Sequence, residues 1–192
     1  MALYTCPWPG QGFYFKKAVN SSADTQGIKF RSYNSATATF AEELGMVPVQ
    51  VEAAELSQAL ATGVAESFIS SGSTGYDRKV WESLTHYYKV NAWLPRNYVI
   101  VNKGIWDGLG ADTKANVQKA ADETGAACSA KSAELANWYF EQLSANGMSV
   151  EDASSDFLAE LEAIGTKMTA DWLSAAGSDG QAIIDNYKAM AN

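Results

Sequence analysis

Histidine, cysteine and long apolar runs are all scarce in this chain, and each shortage removes a class of function. A single histidine, His86, stands among 192 residues. A hydrolase triad needs such an imidazole beside a serine nucleophile. The nearest approach to the G-x-S-x-G elbow, Gly72-Ser73-Thr74-Gly75, is one residue too short. Metal catalysis usually draws on several His, Cys or clustered acids, so with one histidine the 22 Asp and Glu read as solvated helix faces. No G-x-x-x-x-G-K-[ST] phosphate loop occurs, and Gly10-Gln11-Gly12 lacks the third glycine of a dinucleotide fingerprint. The chain therefore reads as a non-enzyme, with no catalytic residue, metal ligand or cofactor to name.

The two cysteines, Cys6 and Cys128, form no C-x-x-C pattern, so neither a zinc site nor a disulfide framework is legible, and two free thiols are expected. No apolar run approaches the roughly 20 residues needed to span a bilayer. The start Met1-Ala2-Leu3-Tyr4 lacks the features of a secretory signal, which by itself points to the cytoplasm. That inference lapses if the sequence is a piece of a longer protein. Positive charge is also short, with 14 Lys and Arg against 22 acids and a formal net charge of −8. The summed field repels phosphate backbones, so nucleic acid is not an expected partner. An anionic ligand remains open, because one buried arginine acts locally whatever the distant surface charge.

What is present is ample apolar surface, 47% of the residues, enough for one soluble domain or two small lobes. Short apolar runs alternate with helical patterns, which predicts an α/β fold with a mainly parallel sheet. The expected order begins with a strand at 3–6, the turn-rich Pro7-Trp8-Pro9-Gly10-Gln11-Gly12 and the aromatic run Phe13-Tyr14-Phe15. A strand at 28–33, a helix at 35–44 ended by Gly45, a strand at 47–51, a helix at 55–62 closed by Gly63 and a strand at 67–70 follow. A helix at 76–84 precedes strands at 87–93 and 98–102, which Pro95 separates and which could cross between lobes. Apolar positions from Val117 to Leu143 recur at three- and four-residue steps, predicting one long helix over 113–145 with Gly125 as its bend. At 1.5 Å per residue it would reach about 45 Å and could brace two lobes. A strand at 148–150 and helices at 154–176 and 180–190, parted by Gly177, complete the chain.

Chemistry gathers at predicted strand ends. In Ile28-Lys29-Phe30-Arg31-Ser32-Tyr33, alternation puts Lys29, Arg31 and Tyr33 on one face, with Arg31 near the carboxyl end. Ligands of open α/β sheets bind at such ends, and a guanidinium there presents a fork that matches a carboxylate. The plainer alternative is a surface ion pair. Ser70 and Ser71 lead into a loop whose hydroxyls and N–H groups could bind a small polar ligand, or could simply cap the next helix. Trp8, Tyr14 and Trp93 flank loops and strand ends, where they could stack on a ligand or belong to the core.

The stretches Trp8-Pro9-Gly10-Gln11-Gly12-Phe13-Tyr14, Asp24-Thr25-Gln26-Gly27-Ile28-Lys29-Phe30-Arg31, Leu44-Gly45-Met46-Val47-Pro48-Val49 and Val101-Asn102-Lys103-Gly104-Ile105-Trp106 stand in an order that resembles the solute receptors of tripartite ATP-independent periplasmic (TRAP) transporters. The resemblance covers nearly the whole chain and matches the family's middle and C-terminal portion, which implies that an N-terminal part is missing. It implies a two-lobed, type II periplasmic-binding-protein-like fold with residues 1–95 as a ligand-binding lobe and 96–192 as the long helix and C-terminal helices. It further implies periplasmic residence, delivery of a small organic carboxylate to a TRAP membrane permease, and Arg31 as the carboxylate anchor. The serine loop and Trp93 suggest an aryl or 2-oxo acid ahead of a sugar acid. A truncated receptor would expose apolar surface and could dimerise. The competing classes are a ligand-sensing signalling domain and an α/β enzyme with an unfamiliar site.

Overall fold

A computed structural model describes residues 1–191. In chain order the elements are β1 (Ala2–Pro7), β2 (Gln11–Phe15), β3 (Lys29–Ser32), α1 (Ser35–Glu43), β4 (Val47–Gln50), α2 (Leu56–Thr62), β5 (Ser67–Ser70), α3 (Gly72–Asp77), β6 (His86–Trp93), β7 (Arg96–Ile100), α4 (Lys103–Asp107), α5 (Ala111–Ala145), β8 (Ser149–Asp152) and α6 (Ser155–Ala191). No helix among the described residues is long and apolar enough to cross a membrane.

Six strands form one sheet in the order β4-β3-β5-β2-β6-β8, while β1 and β7 make a separate antiparallel ribbon. β3 runs parallel to β4 and β5, and β6 runs parallel to β8, but β2 is antiparallel to both β5 and β6. The sheet is therefore mainly parallel, as expected, with β2 alone reversed. The carboxyl ends of β3, β5 and β6 and the start of β2 consequently share one edge.

Sequence reasoning missed α4 and, with more consequence, β2. All five of its residues are buried, so the polar alternation that marks a half-exposed strand is absent and the segment reads as a turn followed by aromatics. Gly12 is required there: a Cβ would lie 2.1 Å from the Tyr88 carbonyl oxygen. The alternating faces of the sheet feed two cores. Phe13, Phe15, Phe30, Phe40, Ile69 and Phe157 pack on one side. Tyr14, Phe68, Leu56, Leu84, Tyr87 and Leu143 pack on the other.

Two helical expectations change. The helix placed at 76–84 is instead α3, followed by Lys79 in the left-handed region and a single 3-10 turn at Val80–Glu82. Gly125 does not bend α5; its missing side chain lets β1 approach, since a Cβ would sit 3.1 Å from that of Tyr4. The break at Gly177 within α6 is present as expected, with φ 62° and ψ −145°.

The two cysteines expected to be free are joined: Cys6 on β1 and Cys128 on α5 form a disulfide, with their Cα atoms 5.7 Å apart. Spacing could not show this, because the partners are 122 residues apart and meet only when α5 lies along β1. Closing so long a loop restricts the unfolded chain, so Cys6→Ser combined with Cys128→Ser is expected to lower stability by about 2–5 kcal/mol. Chemical denaturation of the variant and of the oxidised wild type measures the difference; equal stability would contradict a structural role.

Candidate functional site

The shared sheet edge collects the polar groups. The turn from β3 into α1 is fixed by Asn34, whose side chain accepts from the Thr37 N–H at 2.9 Å, while the Tyr33 N–H donates to Thr37 Oγ1 at 3.2 Å. This holds Arg31 and Tyr33 at the end of β3. Arg31 is only 6% exposed. Its Nε donates to the Val51 carbonyl at 2.8 Å, and its guanidinium carbon lies 5.1 Å from the centre of the Tyr33 ring. None of the ion pairs among the described residues involves Arg31, so the surface-pair alternative is not what the fold builds. Burial lowers the Arg31 pKa from its ordinary value, yet a guanidinium keeps its charge. The terminal nitrogens thus form a nearly buried cation that makes no ion pair and feels Glu52 only through space, an arrangement that suits an external anion.

Tyr33 works in two directions. Its ring carries Arg31, and its hydroxyl donates to Gln11 Oε1 at 2.9 Å. Gln11, nearly buried at the start of β2, was not singled out from sequence. The only signal was a lone polar residue between Gly10 and Gly12 ahead of an aromatic run.

Trp8 and the serine loop come together beside this group. Trp8 Nε1 donates to Ser71 Oγ at 2.8 Å, and Ser71 Oγ also bonds Ser73 Oγ at 2.8 Å. Ser70 Oγ donates to Thr74 Oγ1 at 2.8 Å. Ser71 occupies the N-cap position of α3 but makes no side-chain cap bond; its hydroxyl holds the indole instead. Both serines are buried, whereas Trp8 remains 37% exposed and offers a ring face.

Tyr14 packs into the core beneath the serine loop, and Trp93 packs toward α1. Tyr14 is fully buried, stacks on Phe68 at 4.3 Å and donates its hydroxyl to the Ser71 carbonyl at 2.8 Å. Tyr14 lies in the core as a support beneath the loop, because the alternation of β2 turns it inward. Trp93 pairs with Gln11 across the β2–β6 ladder but packs on Phe40 at 5.4 Å. It lines a cavity of about 660 Å³ between β6, α1 and α6 that includes neither Arg31 nor Tyr33. Among the described residues no cluster of His, Cys or acids could hold a metal ion.

Removing the Tyr14 hydroxyl leaves the buried Ser71 carbonyl short of a donor while keeping the ring stack. Tyr14→Phe is expected to cost about 1–3 kcal/mol in a urea melt. A variant as stable as wild type would contradict the supporting role.

Residues 11–175 match the family described as bacterial extracellular solute-binding protein, family 7. A solved marine metagenome TRAP solute-binding protein specific for pyroglutamate, crystallised with co-purified pyroglutamate, is 81% identical with a TM-score of 0.94; the match covers 98% of this chain and 62% of that one. DctP6 of Bordetella pertussis, an extracytoplasmic solute receptor binding pyroglutamic acid, is 42% identical with a TM-score of 0.95 and the same coverage of 98% and 62%. The C4-dicarboxylate-binding periplasmic protein DctP of Rhodobacter capsulatus is 34% identical over 102 residues, 53% of this chain and 31% of that protein. The chain thus spans 62% of the length of these two solved relatives.

Proposed function

The chain belongs to family 7 of the bacterial extracellular solute-binding proteins, the receptors of TRAP transporters, and on that premise we propose that it binds pyroglutamate and delivers it to a TRAP-type membrane permease. The observation that carries the reading is Arg31, a nearly buried guanidinium that makes no ion pair, at the sheet edge where strand ends meet. In this reading its terminal nitrogens take the ligand carboxylate, Tyr33 backs the guanidinium, and Ser71 holds Trp8 as a wall of the cleft. Ser70 steadies the loop through Thr74. The ligand-carrying part corresponds to residues 1–95 and the bracing part to 96–192, with α5 packed on β1, α3 and β8 and α6 packed on α1.

Two relatives that bind pyroglutamate support the ligand, a five-membered cyclic amide carrying one carboxylate. It is neither the aryl nor the 2-oxo acid suggested by the serine loop. The family consists of solute receptors and not enzymes, and neither the signalling domain nor the α/β enzyme is favoured by the relatives. The Cys6–Cys128 disulfide suits an oxidising compartment and supports periplasmic residence.

A charge-assisted hydrogen bond contributes about 1.5–3 kcal/mol, and each 1.4 kcal/mol is about tenfold in affinity. Arg31→Ala is therefore expected to weaken pyroglutamate binding by about 10- to 150-fold in calorimetric titration. Arg31→Lys should restore little, since a point charge does not reproduce the planar fork. Unchanged affinity in Arg31→Ala, or a folded wild type that binds no pyroglutamate, would sink the reading.

Self-association is the remaining part of the proposal. Tyr98 and Ile100 on β7, with neighbouring Leu94 and Ile105, are well exposed, as are Ile183, Tyr187 and Met190 on α6. Apolar surface of this kind supports an interface. Sedimentation velocity at rising concentration is expected to reveal a dimer, and a species that stays monomeric throughout would count against it.

A further inference from the structure

Along α5, Gly125, Cys128, Ser132, Leu135 and Tyr139 recur at three- and four-residue steps and are half-buried, while most residues between them are exposed. This stripe grips both ends of the bond between Trp8 and Ser71. On the indole's side, Cys128 is joined to Cys6 and Ser132 Oγ donates to the Pro7 carbonyl at 2.8 Å, which fixes the chain immediately before Trp8. On the acceptor's side, α5 packs against the first turn of α3, where a Cβ on Gly72 would lie 2.9 Å from that of Tyr139. Between the two anchors Trp8 Nε1 donates to Ser71 Oγ at 2.8 Å.

Packing alone does not hold the indole. Trp8 is exposed, and it borders a cavity of about 270 Å³ whose walls include Cys6, Cys128, Leu135 and Tyr139. A ring with open space beside it lacks contact atoms on that side, so its place is set by its bonds and its backbone. Pro7 and Pro9 restrict φ on either side of Trp8, and a shift at Cys6 is therefore passed on to the indole instead of being absorbed by the loop.

We propose that Cys128 and Ser132 are positioning residues of the ligand site, acting from α5 through Cys6 and Pro7 to hold Trp8 where it meets the bound acid. The proposal rests on the receptor reading above and deepens it. Neither residue takes part in the ligand contact itself. An indole released from these ties must be ordered again on binding, and ordering a side chain at an interface subtracts from affinity. Loss of either tie therefore weakens binding, and it does so only while the indole is there to be placed.

The test is a double-mutant cycle read by calorimetric titration of pyroglutamate. Ser132→Ala keeps the disulfide and is expected to weaken binding by about 2- to 10-fold, and Cys6→Ser combined with Cys128→Ser by about 3- to 30-fold. Trp8→Leu alone should cost about 10-fold. In the Trp8→Leu background both of the first two ratios should fall toward one, whereas the drop in melting temperature that each change causes should persist there. Circular dichroism and a thermal melt establish that each protein is folded at the titration temperature; if the double serine variant is not, Ser132→Ala carries the cycle. Equal weakening with and without Trp8, or no weakening in the Trp8 protein, overturns the proposal. A Trp8→Leu protein that binds like wild type overturns it while leaving the carboxylate reading intact, and wild type that binds no pyroglutamate overturns both.

Discussion

β2 is the constraint around which the rest is arranged. It lies in the middle of the sheet, antiparallel to both neighbours and buried on both faces. Phe13 and Phe15 therefore seed one core while Tyr14 seeds the other, so a single five-residue strand ties the two layers together. Its reversal also has a positional effect: the strand begins where β3, β5 and β6 end. Gln11 is delivered to the edge that carries Arg31 and Ser70, and the loop bringing Trp8 must pass the same place. A parallel strand here would have sent its first residue to the opposite edge.

At that edge the favourable and unfavourable terms are separated in space. Burying a guanidinium without an anion is unfavourable, and one bond to the Val51 carbonyl plus the face of Tyr33 offsets only part of it. In the proposed reading the remainder is available to a ligand carboxylate, whose binding would relieve what folding left uncompensated. A surface ion pair would have used up the same charge, which is why the absence of an ion pair weighs more than the presence of the arginine. Conversely, the serine hydroxyls that looked available in sequence are already engaged with Trp8, Ser73 and Thr74, so their contribution passes through the position of the indole.

Legibility in the sequence followed the physics of each element. β5 at 67–70 and the long helix were readable because apolar period and flanking turn residues agreed, and Arg31 because strand alternation and a strand end coincided. β2 was not, since burial on both faces erases the period-2 signal and Gly12, needed for close approach to β6, reads as a turn. The place of Tyr14 in the core was hidden with that strand. Gln11 carries no local mark, because its bond is to Tyr33, 22 residues later and two strands away in the sheet. The disulfide was hidden for the same reason, as a contact made by tertiary packing alone.

The disulfide also bears on the site. Cys6 lies two residues before Trp8, and the intervening Pro7 carbonyl accepts from Ser132 Oγ at 2.8 Å, on the same helix as Cys128. The Trp8 N–H adds a bond to the Pro95 carbonyl at 2.9 Å, just before β7. The loop presenting the indole is thereby fastened to α5 on one side and to the start of the β7 ribbon on the other, while its ring is fastened to Ser71. A long helix, an exposed ribbon and the indole are joined within three residues. Any movement of α5 relative to the sheet would have to carry Trp8 with it or break several bonds at once, so the position of the indole follows α5 and not the loop's own flexibility.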